Sequence, residues 1–481
     1  MKKQLISTLL LSVLIITSCG SNDGNTPTDS TTSEPESTTS PYVYIDKLSD
    51  ADYNGYEFKI FGESGFDRYF VEEETGEVIN DAVYKRNSLV EQRYNITLEF
   101  ELVEWKMGPE TIQQNVLAGD NSFDLWTSTH LYLGNILTGG YLRSWNEVDS
   151  VDLSQPYYVK AANDNYSIGG QTKLLFGDFM DSNLTKAYVM IFNKRLADEY
   201  GMTNLYDAVD EGTWTIDYFT SLIKDIRRDL NGDSVYDEND FYGFGTDQYA
   251  MIDSWSKALG FIAIDNTGEE PKLDFYKEST VDAYKKLYDL YHNTTGVYGK
   301  YDAFTAVNKM FIPGNCVFSN SQIGHLTGEK IRDMKDDFGV LPYPKLTESQ
   351  EGYYTHLDGT YSAQLITVTQ PDEDLERTGT IVEALNAYSR EFTIPALYEI
   401  ALKVKASRDD DSVRMLDIAL DGRRYSLDSL DEDGFKLSPI NALRNNIQKG
   451  NESITSYYEA NKASCEQWIT SMIEAFNESE K

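Results

Sequence analysis

The chain has 481 residues, with 42 Lys and Arg against 79 Asp and Glu, and a formal net charge of −37 at pH 7. That length suits two ordinary domains. Such an acidic chain will not track a phosphate backbone, so nucleic acid is not expected as a partner. Four histidines and three cysteines, without a Cys or His cluster, give no reason to expect a zinc site.

Lys2 and Lys3 precede an apolar run from Leu5 to Ile16 that is too short to span a bilayer, and Thr17-Ser18 follow it. This is the pattern of an export signal over residues 1–18. Ile16-Thr17-Ser18-Cys19 resembles the lipobox of bacterial lipoproteins, in which the cysteine thiol takes a diacylglyceryl group carrying acyl chains such as palmitate. Cys19 is therefore expected to be lipidated and to begin the mature chain; the alternative is an ordinary signal peptide with an incidental cysteine. Gly20 to Pro41 is almost all Ser, Thr, Asn, Asp, Gly, Glu and Pro. Such a segment buries too little apolar surface to offset its ordering entropy. It reads as a tether with an r.m.s. reach of roughly 25 Å for about 22 residues, and residues 19–50 together are assigned to the lipidated cysteine and tether. The expected location is the outer face of the bacterial cell membrane.

Tyr56 to Phe61 alternates and meets a Gly-Glu-Ser-Gly turn, as a first strand does. Asn80 is expected to cap a helix with Val83, Val90 and Tyr94 on its apolar face. Ile96 to Leu102 alternates as a second strand, Pro109 to Ala118 reads as a helix, and Phe123 to Trp126 as a third strand. Strand and helix in alternation predict a parallel sheet covered by helices, with any ligand outside the carboxyl ends of the strands. A second α/β region begins with a strand over Ala187 to Phe192 and a helix from Asn193 that Gly201 ends. Phe311 to Phe318, Phe338 to Leu341 and Tyr361 to Thr369 read as further strands, and Glu373 to Tyr388 and Ser453 to Phe476 as helices. Gly422 to Gly434 is a polar loop without an assigned role. Cys316 and Cys465 are expected to be free, largely buried thiols.

Asp229-Leu230-Asn231-Gly232-Asp233-Ser234-Val235-Tyr236-Asp237-Glu238-Asn239-Asp240 places side-chain oxygens at Asp229, Asn231, Asp233, Asp237 and Asp240 and a backbone carbonyl at Val235. This spacing wraps oxygens around one point, as Ca²⁺ requires. Ser234 replaces the usual turn glycine, and Asp240 stands where a bidentate Glu is common. A structural Ca²⁺ is expected here, with no catalytic cofactor. The other reading is an acidic surface turn.

The chain resembles the extracellular solute-binding proteins of ABC importers, in the broad sugar-binding group (family 1). The markers are Gly76-Glu77-Val78-Ile79-Asn80-Asp81-Ala82-Val83-Tyr84-Lys85-Arg86-Asn87, Phe192-Asn193-Lys194, Glu211-Gly212-Thr213-Trp214-Thr215 and Phe338-Gly339-Val340-Leu341-Pro342-Tyr343-Pro344-Lys345. The resemblance implies an α/β, two-lobed periplasmic-binding-protein-like fold of type II, each lobe a mostly parallel sheet flanked by helices. It implies an N-terminal lobe of 51–182 with 358–410, and a C-terminal lobe of 183–357 with 411–481. Crossovers would lie near Asp181 to Asn183, His356 to Asp358, and residues 409–411. A small solute, expected to be a mono- or oligosaccharide, would sit in the cleft and pass to ABC permease subunits. The receptor itself is expected to be a monomer, not an enzyme.

Sugars offer hydroxyls to short polar groups and C–H faces to aromatic rings. On that logic the ligand candidates in the first lobe are Glu63, Trp126, Ser128, Thr129, His130 and Tyr132. Those at the crossovers are Asp178, Asp181 and Asp358, and those in the second lobe are Asp247, Gln248 and Trp255. Trp126 reads equally as a core residue at a strand end, and His130 as a surface-loop histidine. Two other function classes stand beside the receptor. One is an exported glycan-active hydrolase, which needs two carboxylates about 5–9 Å apart. The other is a calcium-stiffened surface adhesion or scaffold lipoprotein.

Overall fold

A computed structural model describes residues 42–65, 67–301, 305–399, 410–430 and 434–478. The signal, Cys19 and the tether up to residue 41 lie outside the described residues. Residues 42–50, assigned above to the tether, pack instead. Ile45 is buried, Tyr42 lies 5.4 Å from Phe392, and the Tyr44 amide donates to Glu391.

The first sheet is built from β1 (Tyr56–Glu63), β2 (Ile96–Val103) and β3 (Leu125–Thr129). β1 lies between β2 and β3 and runs parallel to both. Alternation works as expected. Phe58 and Ile60 join one core with Val90 and Tyr94 of the helix Val78–Tyr94, while Phe61 faces a second core. That helix starts two residues before Asn80. Its entry is shaped by Asp81, whose carboxylate accepts the Thr75 and Gly76 amides at 2.8 and 3.2 Å.

The second sheet holds β4 (Tyr188–Asn193), β5 (Arg227–Arg228), β6 (Phe241–Asp247), β9 (Val297–Tyr301), β10 (Cys316–Gln322) and β11 (Phe338–Leu341), with the small hairpin β7 (Ile264–Asp265) and β8 (Lys272–Leu273) apart from it. It is mixed rather than mostly parallel: β4 runs antiparallel to both β10 and β11, and β6 parallel to β9 and β10. The strand expected from Phe311 begins only at Cys316. Residues 307–311 form a π-helical turn, and Pro313-Gly314, with Gly314 at φ +82°, turns the chain before it can extend. Both Cys316 and Cys465 are free and buried.

Three of the motifs that carry the resemblance meet in this half. Asn193 caps the next helix by accepting the Leu196 amide, and Phe192 pairs with Gly339 across β4 and β11. The fully buried Trp214 donates through Nε1 to the Pro342 carbonyl at 2.9 Å, while Thr215 bridges Lys345. These motifs are framework, not site.

The chain leaves the first sheet through residues 181–187 and comes back through 355–361 to β12 (Ser362–Leu365), which pairs antiparallel with β3. The two passages touch at the Ala187–Leu357 bridge. The helix Asp372–Tyr388 then packs on the helix Val78–Tyr94 and shares its core with Phe58, Ile60 and Leu125 of the first sheet, and the helix Asp410–Asp421 packs on β11 and β4. Between these two helices, residues 389–399 continue as helix, and residues 400–409 lie outside the described residues.

Candidate functional site

The carboxyl ends of β1, β2 and β3 face the loops after β6 and β10 across a cavity of about 530 Å³. From the first-sheet side it is lined by Trp105, Leu131 and Tyr132. From the second come Tyr249, Ala250, Asp253, Gln322 and His325. The passages contribute Lys186, His356 and Asp358, and the C-terminal region Ser438, Pro439, Ile440 and Arg444.

Glu63 organises the first-sheet rim. Its buried carboxylate accepts the Gly108 amide at 3.1 Å, the Thr129 amide at 2.7 Å and the Ser128 hydroxyl at 3.3 Å. One side chain thus ties the ends of β1 and β3 to the start of the helix Gly108–Ala118. Gly108 is required there, since a Cβ would stand 2.8 Å from both Glu63 Oε1 and Ser128 Oγ. The loop so anchored carries Trp105, with its ring 6.1 Å from Tyr132 and Lys106 Nζ 4.5 Å above it. Trp105 remains 36% exposed.

On the opposite rim, the Asp247 carboxylate at the end of β6 accepts the Tyr249 and Met251 amides at 2.9 and 3.3 Å. It sets the turn that presents Tyr249, which is 47% exposed. Arg444 lies 4.0 Å over the Tyr249 ring and forms an ion pair with Asp253. On the floor, Asp358 accepts the Tyr188 and Thr360 hydroxyls, each at 2.6 Å. His356 meets the Ser256 hydroxyl at 3.2 Å, and burial pushes its pKa well below the usual histidine value, which keeps the ring neutral.

Of the ligand candidates read from the sequence, Tyr132 and Asp358 line this cavity. Asp247, Glu63 and Ser128 sit one layer behind it as supports. Thr129 is fully buried there as well. Trp126 is a core residue, its ring 4.8 Å from both Phe61 and Phe123. Trp255 is wholly buried among Phe219, Phe244 and Tyr343, so it has no face for a ligand. His130 is not on a surface loop. It is fully buried and stacked 3.9 Å from Tyr361, and burial drives its pKa down to about 3. The side chain of Gln248 is half-buried away from the cavity lining. Asp181 pairs with Arg68. Asp178 lines a separate cavity at the passages between the sheets, where burial pushes its carboxyl up to about 7 against the pull of Arg390 and Arg423.

Trp105, Tyr249 and Arg444 were missed in the sequence. Trp105 had a signal: it follows the carboxyl end of β2, on the rim already expected to hold ligand. Tyr249 stands two residues beyond Asp247. Arg444 had none, because it reaches the cavity from a distant part of the chain.

The 229–240 loop is closed by its own hydrogen bonds. Asp229 accepts the Gly232 and Ser234 amides at 2.6 and 2.8 Å, and Asp240 the Leu230 and Asp237 amides, each at 2.9 Å. Ser234 adopts φ +65°, the left-handed turn that a glycine would take without strain. Among the described residues no group of three or more His, Cys, Asp or Glu side chains is arranged to hold a metal ion.

No protein-family model matches the sequence, and no curated protein is significantly similar to it. Solved structures do match over most of the chain. The galacto-N-biose-/lacto-N-biose I-binding protein of an ABC transporter from Bifidobacterium longum aligns with a TM-score of 0.56 at 13% identity, over 89% of this chain and 99% of its own. M. tuberculosis UspC aligns with a TM-score of 0.56 at 13% identity, over 86% and 100%. A cyclo/maltodextrin-binding protein complexed with maltotetraose aligns with a TM-score of 0.52 at 16% identity, over 88% and 97%. The fold is therefore the two-lobed one of the ABC solute-binding proteins. Within that class, several of the matched structures are sugar binders, in keeping with the resemblance carried by the sequence motifs.

Proposed function

We propose that this protein is a receptor that captures a mono- or oligosaccharide in the cavity between its sheets and presents it to an ABC permease. The observation that carries this reading is the placement of aromatic faces on opposite rims, Trp105 and Tyr132 on one and Tyr249 on the other, above a hydrogen-bonding floor around Asp358. Rings match the C–H faces of a pyranose, and the polar floor matches its hydroxyls. The proteins of similar fold named above include binders of maltotetraose and lacto-N-biose. The two cavity carboxylates are engaged, Asp253 with Arg444 and Asp358 with two hydroxyls, which argues against an acid and base pair for hydrolysis. Thermal melting against a panel of oligosaccharides and peptides tests the assignment, because a ligand bound only by the native state raises the melting point. Stabilisation by peptides and by no sugar would overturn it.

The membrane attachment is proposed to run through acyl chains on Cys19, which would hold the receptor on the outer face beside its permease. Cys19→Ser should then release it into the culture medium. For the loop from Asp229 to Asp240 we propose a weak structural Ca²⁺ site, supported by the spacing of its oxygens and the sharp turn at Ser234. Equal calorimetric heats for the native protein and Asp233→Ala would end that proposal.

A further inference from the structure

Behind the sugar cavity, where the chain passes between the sheets, lies a second cavity of about 300 Å³. One wall is Pro156 and the run Tyr158 to Ala161 with Arg390, just beyond the end of the helix Asp372–Tyr388. The other is Arg423 and Tyr425, just after the helix that packs on the second sheet. An occupant would therefore touch both halves of the molecule.

Its polar groups are under-used. Arg423 donates from Nε to the Leu420 carbonyl and from Nη1 to the Asn183 carbonyl, at 2.8 and 2.7 Å. Among the described residues its Nη2 has no acceptor. Arg390 makes one long contact, 3.4 Å to Asp178. The Tyr425 hydroxyl and Asn183 Oδ1 are buried, and neither has a hydrogen-bond partner among the described residues. Tyr425 is 5% exposed and Asn183 3%. In a chain of net charge −37, this lining sets Arg390, Arg423 and Lys160 against the carboxylates of Asp178 and Asp421, so cationic groups outnumber anionic ones here.

We propose that this cavity is a second ligand site, for a small hydroxycarboxylate anion. A carboxylate matches the planar fork of a guanidinium and satisfies two donors at once. The Tyr425 hydroxyl supplies a further donor, and a hydroxyl on the ligand supplies the proton that Asn183 Oδ1 lacks. The volume lies at the lower end of the range for small-molecule sites, which suits a molecule of a few carbons.

Isothermal titration with sodium gluconate tests this, with glycerol and sodium sulfate as controls. Gluconate should bind the native protein, and glycerol and sulfate should give no comparable heat. Arg390→Gln should weaken gluconate at least tenfold, as loss of a charge-assisted bond does. Tyr425→Phe, which keeps the ring packing, should weaken it about fivefold. Both variants should melt like the native protein without ligand. Trp105→Ala separates this site from the sugar cavity: gluconate binding should survive it. No heat with gluconate, unchanged affinity in Arg390→Gln, equal binding of sulfate, or loss of gluconate binding in Trp105→Ala would each overturn the proposal.

Discussion

Replacing Trp105 by Ala removes one aromatic face of the proposed sugar site without touching the core. The side chain is 36% exposed, and a large aromatic has on the order of 250 Å² to bury, so a ligand that covered all of the exposed part would hide about 90 Å². At about 25 cal/mol per Å² that is about 2 kcal/mol, or roughly a fortyfold change in Kd. A sugar ring covers one face, which halves the figure to about 1 kcal/mol, or roughly sixfold. The affinity of Trp105→Ala for the best sugar in the panel should therefore fall by a factor between these two. Trp105→Phe, which keeps an aromatic face, should lose less than half of that free energy. Titration calorimetry reads the effect directly, with Leu117→Ala as a control, since Leu117 is 70% exposed on the helix behind the loop. An unchanged Kd in Trp105→Ala, or an equal loss in Leu117→Ala, would refute the assignment of this rim.

Glu63→Ala strips three donors of their shared acceptor and should lower stability by about 3 kcal/mol, seen as a lower melting temperature together with weaker sugar binding. Conservative Glu63→Gln should lose less of both. Lys257 and Asp428 form a salt bridge of 2.7 Å with side chains 1% and 2% exposed; Lys257→Met leaves a buried charge and should cost about 3–5 kcal/mol. The pair Lys257→Met with Asp428→Leu should recover part of that loss in the same melt. His130 sets a pH dependence. Its folded pKa of about 3 lies below the usual 6.5, so the unfolded chain takes up a proton that the native ring refuses. The His130 contribution should be constant above pH 6.5 and lost progressively as pH falls from there toward 3. His130→Phe, which keeps the stack on Tyr361, should flatten that part of the melting profile; an identical profile would contradict the buried neutral ring.

Where the strands were sharply alternating or bounded by turn residues, their positions were legible. β1, β2 and β11 fall within a residue or two of the pattern in the sequence. The helix Glu278–His292 and the role of the 422–434 loop were not. Asp428 in that loop is buried because it meets Lys257 and the Ala263 amide, partners 171 and 165 residues away. No local pattern carries such a pairing. The same limit applied at the site. Tryptophans are conspicuous in a sequence, yet Trp126 and Trp255 went to the core, while Trp105 was left at the rim.

Taken alone, the order of residues determined the alternation of strand and helix, the acidic character and the framework motifs, because backbone periodicity and turn chemistry act over a few neighbours. Which aromatic ring faces the cavity, which carboxylate is held by amides and which meets an arginine were decided by the folded chain. Those outcomes depend on strand ends brought together from both sheets, and on Arg444 arriving over the Tyr249 ring from nearly two hundred residues further along. Burial and electrostatic pairing are properties of that three-dimensional arrangement, and a one-dimensional string does not carry them.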